Sequence, residues 1–271
     1  MKVGFIGTGN LASAIIKGIV CSKSIAENMI WAYDIFPEKP KKCASEYGIN
    51  IAESAGYIAK EMDVVIIAVK PADFPFLLGS ITDSLKIKNP LIISTAVGTS
   101  LKYISSFLNY DPSLVRIMPN INATIGEAMS AYCSNGSITD EQEEIVLSIC
   151  SSIGKVEKLD ESYFPMFGVL AGAAPAFAYM FIDELARAGV KIGMNKNLAL
   201  NIAAQTVLGS AKLILEGGGH PYELIDRVCS PGGTTIEGIA ALQEFGFANA
   251  ISKAVDRTIK KDRKLESQRK A

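Results

Sequence analysis

The sequence predicts an α/β fold: a doubly wound parallel sheet over residues 1–160, followed by an all-helical domain over residues 161–271. Three observations carry this. Short apolar runs alternate with helical patterns through the first part of the chain. The run Val64-Val65-Ile66-Ile67-Ala68-Val69 is apolar on both faces, as a strand inside a parallel sheet must be. From about Glu161 onward strand signals vanish and at least four helical patterns follow. No internal repeat or low-complexity linker interrupts the 271 residues, so the boundary is set near residue 160.

The first strand is Lys2–Ile6, and it runs into Gly7-Thr8-Gly9-Asn10-Leu11-Ala12. Leu11, Ala14, Ile15, Gly18 and Ile19 then fall at helical spacing. A G-x-G-x-x-A motif between a strand and a helix is the context in which it signals dinucleotide binding. Gly7 permits the tight turn, Gly9 lets backbone approach a pyrophosphate, and Ala12 lets helix and strand pack closely. Ile6, Gly7, Thr8, Gly9, Asn10 and Leu11 are therefore candidate cofactor contacts in a Rossmann domain. The second strand, Ile30–Asp34, ends in an acid placed to accept a hydrogen bond from an adenosine ribose. Asp34 favours a free 2′-hydroxyl and hence NADH. Lys39, Lys41 and Lys42 follow it, as a solvated helix face or as counter-charges for the 2′-phosphate of NADPH, so both cofactors stay open.

A helix over Pro37–Tyr47 and a short strand at Ile49–Ile51 come next, then the long strand from Val64. Further strands are expected at Leu91–Ser94, Leu114–Met118 and Gly154–Lys158, with helices at Phe74–Ser84 and Leu101–Leu108 between them. Thr139-x-x-Gln142 is a capping box opening a helix to about Ile153. In an open parallel sheet, ligands sit beyond the carboxyl ends of the strands. Three segments there join the list of cofactor contacts. They are Ala68-Val69-Lys70-Pro71, then Thr95-Ala96-Val97 with small residues for a nicotinamide, then Asn120 as a holder of the carboxamide or of substrate. Each also reads as the ordinary start of a loop.

Composition narrows the function classes. The net charge of −1 gives no sign of a nucleic-acid or anionic-membrane surface. Five cysteines without C-x-x-C spacing, and with no secretory signal ahead of them, read as reduced thiols in a cytoplasm. The single histidine, His220, lies in a Gly-Gly-Gly-His-Pro loop, where a local hydrogen bond is expected and a metal site is not. Ser162–Ile182 contains no charge and is long enough to span a bilayer. Acids flank both of its ends, without the positive bias of a membrane span, and two prolines interrupt it. It is expected to be a buried core helix, and so apolar a segment also predicts a homo-oligomer with helices packed across subunits.

Near the C-terminus, Ser230-Pro231-Gly232-Gly233 turns into a helix that Thr234-x-x-Glu237 is expected to open as a capping box. Such a turn aims backbone N–H groups, with the Ser230, Thr234 and Thr235 hydroxyls, at one point before a helix N-terminus, where a carboxylate or phosphate binds.

The glycine motif, Ala68-Val69-Lys70-Pro71, Met118-Pro119-Asn120, Ala203–Gly209, His220-Pro221 and Cys229–Ile236 together resemble the pyrroline-5-carboxylate reductase family, over essentially the whole chain. The resemblance implies a helical dimerisation domain, interleaved dimers that assemble into larger rings, and NADPH or NADH as cofactor. The implied reaction is reduction of the cyclic imine 1-pyrroline-5-carboxylate to L-proline, the last step of proline biosynthesis. The substrate carboxylate would rest on Gly233, Thr234 and Thr235 beside Ser230, with the Thr235 hydroxyl at the imine nitrogen as the catalytic group. Glu161, where the family often has an acid, would be a further substrate contact.

Two departures stand out. Asn120 is followed by Ile121-Asn122-Ala123 instead of Thr-Pro-Ala. A hydroxyl-bearing Ser-Gly-Ser-Gly-Pro-Ala-Tyr run is here Ala171-Gly172-Ala173-Ala174-Pro175-Ala176-Phe177. These keep two alternatives open: reduction of a related imine acid, and a non-catalytic dinucleotide sensor. A hydroxyacid dehydrogenase is disfavoured, because Ser162–Ile182 has no lysine to act as its acid/base.

Overall fold

The computed structural model describes residues 1–270. These form two compact units, dividing between Gly172 and Ala173. The division falls beyond residue 160 because the connecting segment packs on the first unit: Phe164 is fully buried in its core.

The first unit holds one eight-stranded sheet in the order β3-β2-β1-β4-β5-β6-β7-β8. Its strands are β1 (Val3–Ile6), β2 (Ile30–Tyr33), β3 (Asn50–Ile51), β4 (Val64–Ile67), β5 (Leu91–Ser94), β6 (Leu114–Met118), β7 (Ala128–Ser134) and β8 (Gly154–Lys158). The strand order reverses between β1 and β4, which makes that edge a topological switch point. Residues of β4 alternate between two cores. Val64 and Ile66 face one cluster, with α1 (Asn10–Ser22), α2 (Glu38–Tyr47) and α6 (Asp140–Ser151). Val65 and Ile67 face the other, with α3 (Ala55–Glu61), α4 (Phe74–Lys88) and α5 (Leu101–Ser105). The doubly apolar run predicted this, since a strand with helices on both sides has no wet face.

Register sets the site. Ile6 lies opposite Tyr33 and Ile67, and Ile67 lies opposite Ser94. Gly7, Asp34, Ala68 and Thr95 therefore leave the sheet at one level, along its carboxyl edge.

One strand is additional to those expected from sequence. β7 pairs antiparallel with β6 and parallel with β8, so the last two strands run against the rest. Ala-Met-Ser-Ala-Tyr-Cys-Ser has no β-branched residue, and its strand state comes from pairing on both sides rather than from propensity.

The apolar stretch needs a correction. Ser162–Ile182 is not a core helix of this chain. It comprises a 3-10 turn (Glu161–Tyr163), α7 (Phe164–Phe167), a π-helical segment (Gly168–Ala173) and the start of α8 (Ala174–Lys191). Within Glu161–Lys191 only 11% of an 18-residue apolar window is buried, and Leu170, Tyr179 and Met180 are exposed.

The second unit continues with α9 (Lys196–Leu215), α10 (Pro221–Val228), α11 (Thr234–Glu244) and α12 (Phe247–Lys270). Among its described residues the buried hydrophobic side chains are Ala186, Ala199 and Ala203, at the packing of α8 on α9. His220 caps α10: the Tyr222 N–H donates to its Nδ1 at 3.3 Å, the local bond its loop position predicted.

Candidate active site

At the switch point, Gly7 has φ +94°, and a Cβ there would stand 2.7 Å from the Ala68 carbonyl oxygen. The residue must be glycine for β1 and β4 to come this close. Gly9 differs. It is the N-cap of α1, extended at φ −72° and ψ −175°, and no side chain caps the helix. A Cβ built on Gly9 meets nothing within 4 Å. Backbone N–H groups of the first turn thus open onto free space, a cradle that fits a pyrophosphate. Ala12 is buried beneath, as close packing of helix on strand requires.

Asp34 closes the loop from the side. Its Oδ2 accepts from the Thr8 N–H at 2.9 Å and the Thr8 hydroxyl at 3.3 Å, and its Oδ1 accepts from the Phe36 N–H at 3.0 Å. Next along the edge, Lys70 is exposed and Pro71 opens a 3-10 turn. At the end of β5 the Thr95 N–H and hydroxyl both donate to the Ile67 carbonyl, and Ala96 is buried while Val97 is exposed. The predicted cofactor segments are therefore brought to one edge of the sheet.

Asn120 and Glu161 both have hydrogen-bond partners within the chain. The Asn120 amide donates to the Ala171 carbonyl at 2.9 Å, while its Oδ1 accepts from the N–H groups of Asn122 and Met129. That carbonyl belongs to the π-helical segment. The Glu161 Oε1 accepts from the Leu101 N–H at 2.8 Å and from the buried Arg116 guanidinium at 3.0 Å. Arg116 also lies over the Phe164 ring. Burial first, then the Glu161 charge, pushes the nearby Cys133 thiol up to about 12, so it stays protonated and is no nucleophile.

The second unit holds the Ser230–Gly233 turn. The Gly233 N–H donates to the Ser230 carbonyl at 2.9 Å, and Gly232 has φ +67°. Proline and then a positive-φ glycine at the two central positions is the sequence of a type II turn. The expected capping box at Thr234 is not formed. Gly233 is the extended N-cap, Thr234 is already helical, and no side chain caps α11. The turn consumes the position a capping hydroxyl would occupy, leaving Thr234 and Thr235 exposed on the first turn of α11. At Thr139, where no such turn intervenes, the capping box does form.

Comparison with known proteins agrees with this layout. Residues 2–98 match the profile described as NADP oxidoreductase coenzyme F420-dependent, and residues 161–265 match that for pyrroline-5-carboxylate reductase dimerisation. The Escherichia coli (strain K12) pyrroline-5-carboxylate reductase is 40% identical, over 97% of this chain and 98% of that protein. The chain belongs to the pyrroline-5-carboxylate reductase family. It is similar to the crystal structure of 1-pyrroline-5-carboxylate reductase from Streptococcus pyogenes, with TM-score 0.85 and 37% identity over 97% of this chain and 98% of that one. The Plasmodium falciparum pyrroline carboxylate reductase, solved with NADP bound, superposes with TM-score 0.86 and 28% identity over 98% of both chains. The chain is thus an NAD(P)H-dependent oxidoreductase, and its family's reaction is the reduction of 1-pyrroline-5-carboxylate to proline.

Proposed function

We propose that this chain carries out that reduction, as a cytoplasmic homodimer, with its own residues in the following roles. The observation that carries it is the Ser230–Gly233 turn, which delivers an uncapped helix start flanked by threonines. The substrate carboxylate binds the Gly233, Thr234 and Thr235 backbone at that start, with Ser230 beside it. The Thr235 hydroxyl orients the imine nitrogen. Ile6–Leu11, Ala68–Pro71 and Thr95–Val97 hold the dinucleotide, whose reduced nicotinamide, when bound, supplies a hydride. A cyclic imine is partly protonated near neutral pH, and its iminium carbon is already an acceptor. The protein therefore needs to bind the anion, orient the ring and exclude water, without a metal or a strong acid.

Asn120 and Glu161 belong to the support of this site. Asn120 holds the π-helical segment, and Glu161 ties the connecting segment to α5 and β6 through Arg116. Glu161→Gln keeps an acceptor and removes the charge. It is expected to lower stability by about 1.5 kcal/mol in urea denaturation, with KM for the imine acid unchanged. A raised KM at full stability would return Glu161 to the substrate.

The dimer follows from the second unit. Ordering its backbone costs about 1–2 kcal/mol per residue, and three buried alanines offset little of that at about 0.8 kcal/mol per buried methylene. Two stretches, Glu161–Lys191, which runs into this unit from the connecting segment, and Lys196–Leu215 within it, are long and apolar enough to cross a membrane and are largely exposed. Interleaving with a second copy covers them, and larger rings of dimers extend the same packing. Light scattering of detergent-free protein should give a dimer or a multiple of it; a monodisperse monomer would remove this part.

The activity test is a spectrophotometric assay with 1-pyrroline-5-carboxylate and each reduced nicotinamide. Oxidation of the nicotinamide with formation of proline is expected. Tight nucleotide binding with no turnover would make the chain a dinucleotide sensor, and turnover confined to another cyclic imine would move the substrate.

A further inference from the structure

We propose that Asp34 makes this chain selective for NADH over NADPH. The inference rests on the dinucleotide site described above. The Asp34 carboxylate, its side chain only 8% exposed, is fixed at the carboxyl end of β2 by the two Thr8 donors and the Phe36 N–H. A carboxylate has about four acceptor sites. Three are filled, and the remaining one, on Oδ1, suits a ribose hydroxyl. The same Thr8 N–H that Asp34 holds belongs to the pyrophosphate turn, so turn and ribose acceptor are one rigid piece.

A 2′-phosphate would bring up to two further negative charges against this carboxylate. Like charges this close repel one another, so selectivity depends on whether nearby cations are free to compensate. They are largely committed. Lys39 Nζ lies 3.7 Å from the Asp34 Oδ1 and over the Phe36 ring. Lys42 pairs with Glu46 at 3.9 Å. Lys17 donates to the Thr124 carbonyl at 3.2 Å. All three line one cleft of about 410 Å³ beside Thr8 and Gly9, which the Glu46 carboxylate also enters. Within this cleft Lys39, Lys42 and Lys17 thus already answer to Asp34, Glu46 and a backbone carbonyl, and Lys41 is not among the residues that line it.

Calorimetric titration of the full-length protein with NADH, NADPH, ADP-ribose and 2′-phospho-ADP-ribose tests this without turnover. The non-phosphorylated member of each pair is expected to bind at least 10-fold tighter. Asp34→Asn, which keeps one acceptor for Thr8, should shrink each ratio by at least 10-fold, and Asp34→Ser serves if that variant folds poorly. Lys39→Ala should widen the preference. Equal or tighter binding of the 2′-phosphorylated ligands by the unaltered protein overturns the proposal, and so does an unchanged ratio in the Asp34 variants. Selective NADH binding without imine reduction would leave this inference standing and remove the proposed reaction. Reduction that runs equally well with NADPH would do the reverse, and binding of neither nucleotide would remove both.

Discussion

Gly7→Ala is expected to cost stability and nucleotide binding together, whereas Gly9→Ala should cost binding alone. At position 7 a new Cβ meets the backbone of Ala68, its oxygen at 2.7 Å and its carbonyl carbon at 2.8 Å, with no flexible side chain to give way. The φ of +94° adds strain of its own. Backbone strain of about 1–3 kcal/mol and overpacking of about 1–3 kcal/mol put the loss near 4 kcal/mol. The loop must also shift off the β4 end, so nucleotide affinity should fall at least tenfold. At position 9 the φ of −72° suits alanine and the space is open, so the melting point should hold. The methyl then stands where the pyrophosphate approaches. Thermal melts and nucleotide titrations of both variants decide the matter; wild-type affinity in Gly9→Ala would move the pyrophosphate elsewhere.

Thr235→Ala should cut kcat/KM for 1-pyrroline-5-carboxylate by about 10²-fold, the usual loss for one well-placed polar contact in a transition state. The Thr235 hydroxyl does not cap α11, and the residue is exposed within the chain, so neither stability nor nucleotide affinity should change. Thr235→Ser retains the hydroxyl and should recover most of the rate. A purely structural role would instead show as a lower melting point in the alanine variant, or as no rescue by serine. Undiminished turnover by Thr235→Ala would take the residue out of the mechanism.

Legibility in the sequence tracked the range of the interaction. The glycine turn, the acid after β2 and the Pro-Gly-Gly turn are each specified by neighbours within a few residues, through steric demands that any context imposes. The strand β7 is not legible in the sequence because it has no β-branched residue, and pairing on both sides is what makes it a strand. The capping box expected at Thr234 fails for a different reason. Its hydroxyl and Glu237 have the right spacing, but the preceding turn ends in an extended Gly233 that takes the cap. The same spacing at Thr139 works because nothing before it competes. For Ser162–Ile182, composition established that water would be avoided and left open what replaces it, the chain's own core or another subunit.

By itself the sequence determined the glycine turn after β1, the Pro-Gly-Gly turn before α11 and the alternation that stacks helices on both faces of a sheet, since each is a local rule of backbone sterics or apolar period. Only the tertiary structure decided what the polar side chains do. Glu161 meets Arg116 across 45 residues, and Asn120 meets Ala171 across 51. Asp34 is tied to Thr8 rather than left open to any comer. A buried polar group must find a partner, and no residue spacing says which one folding will bring.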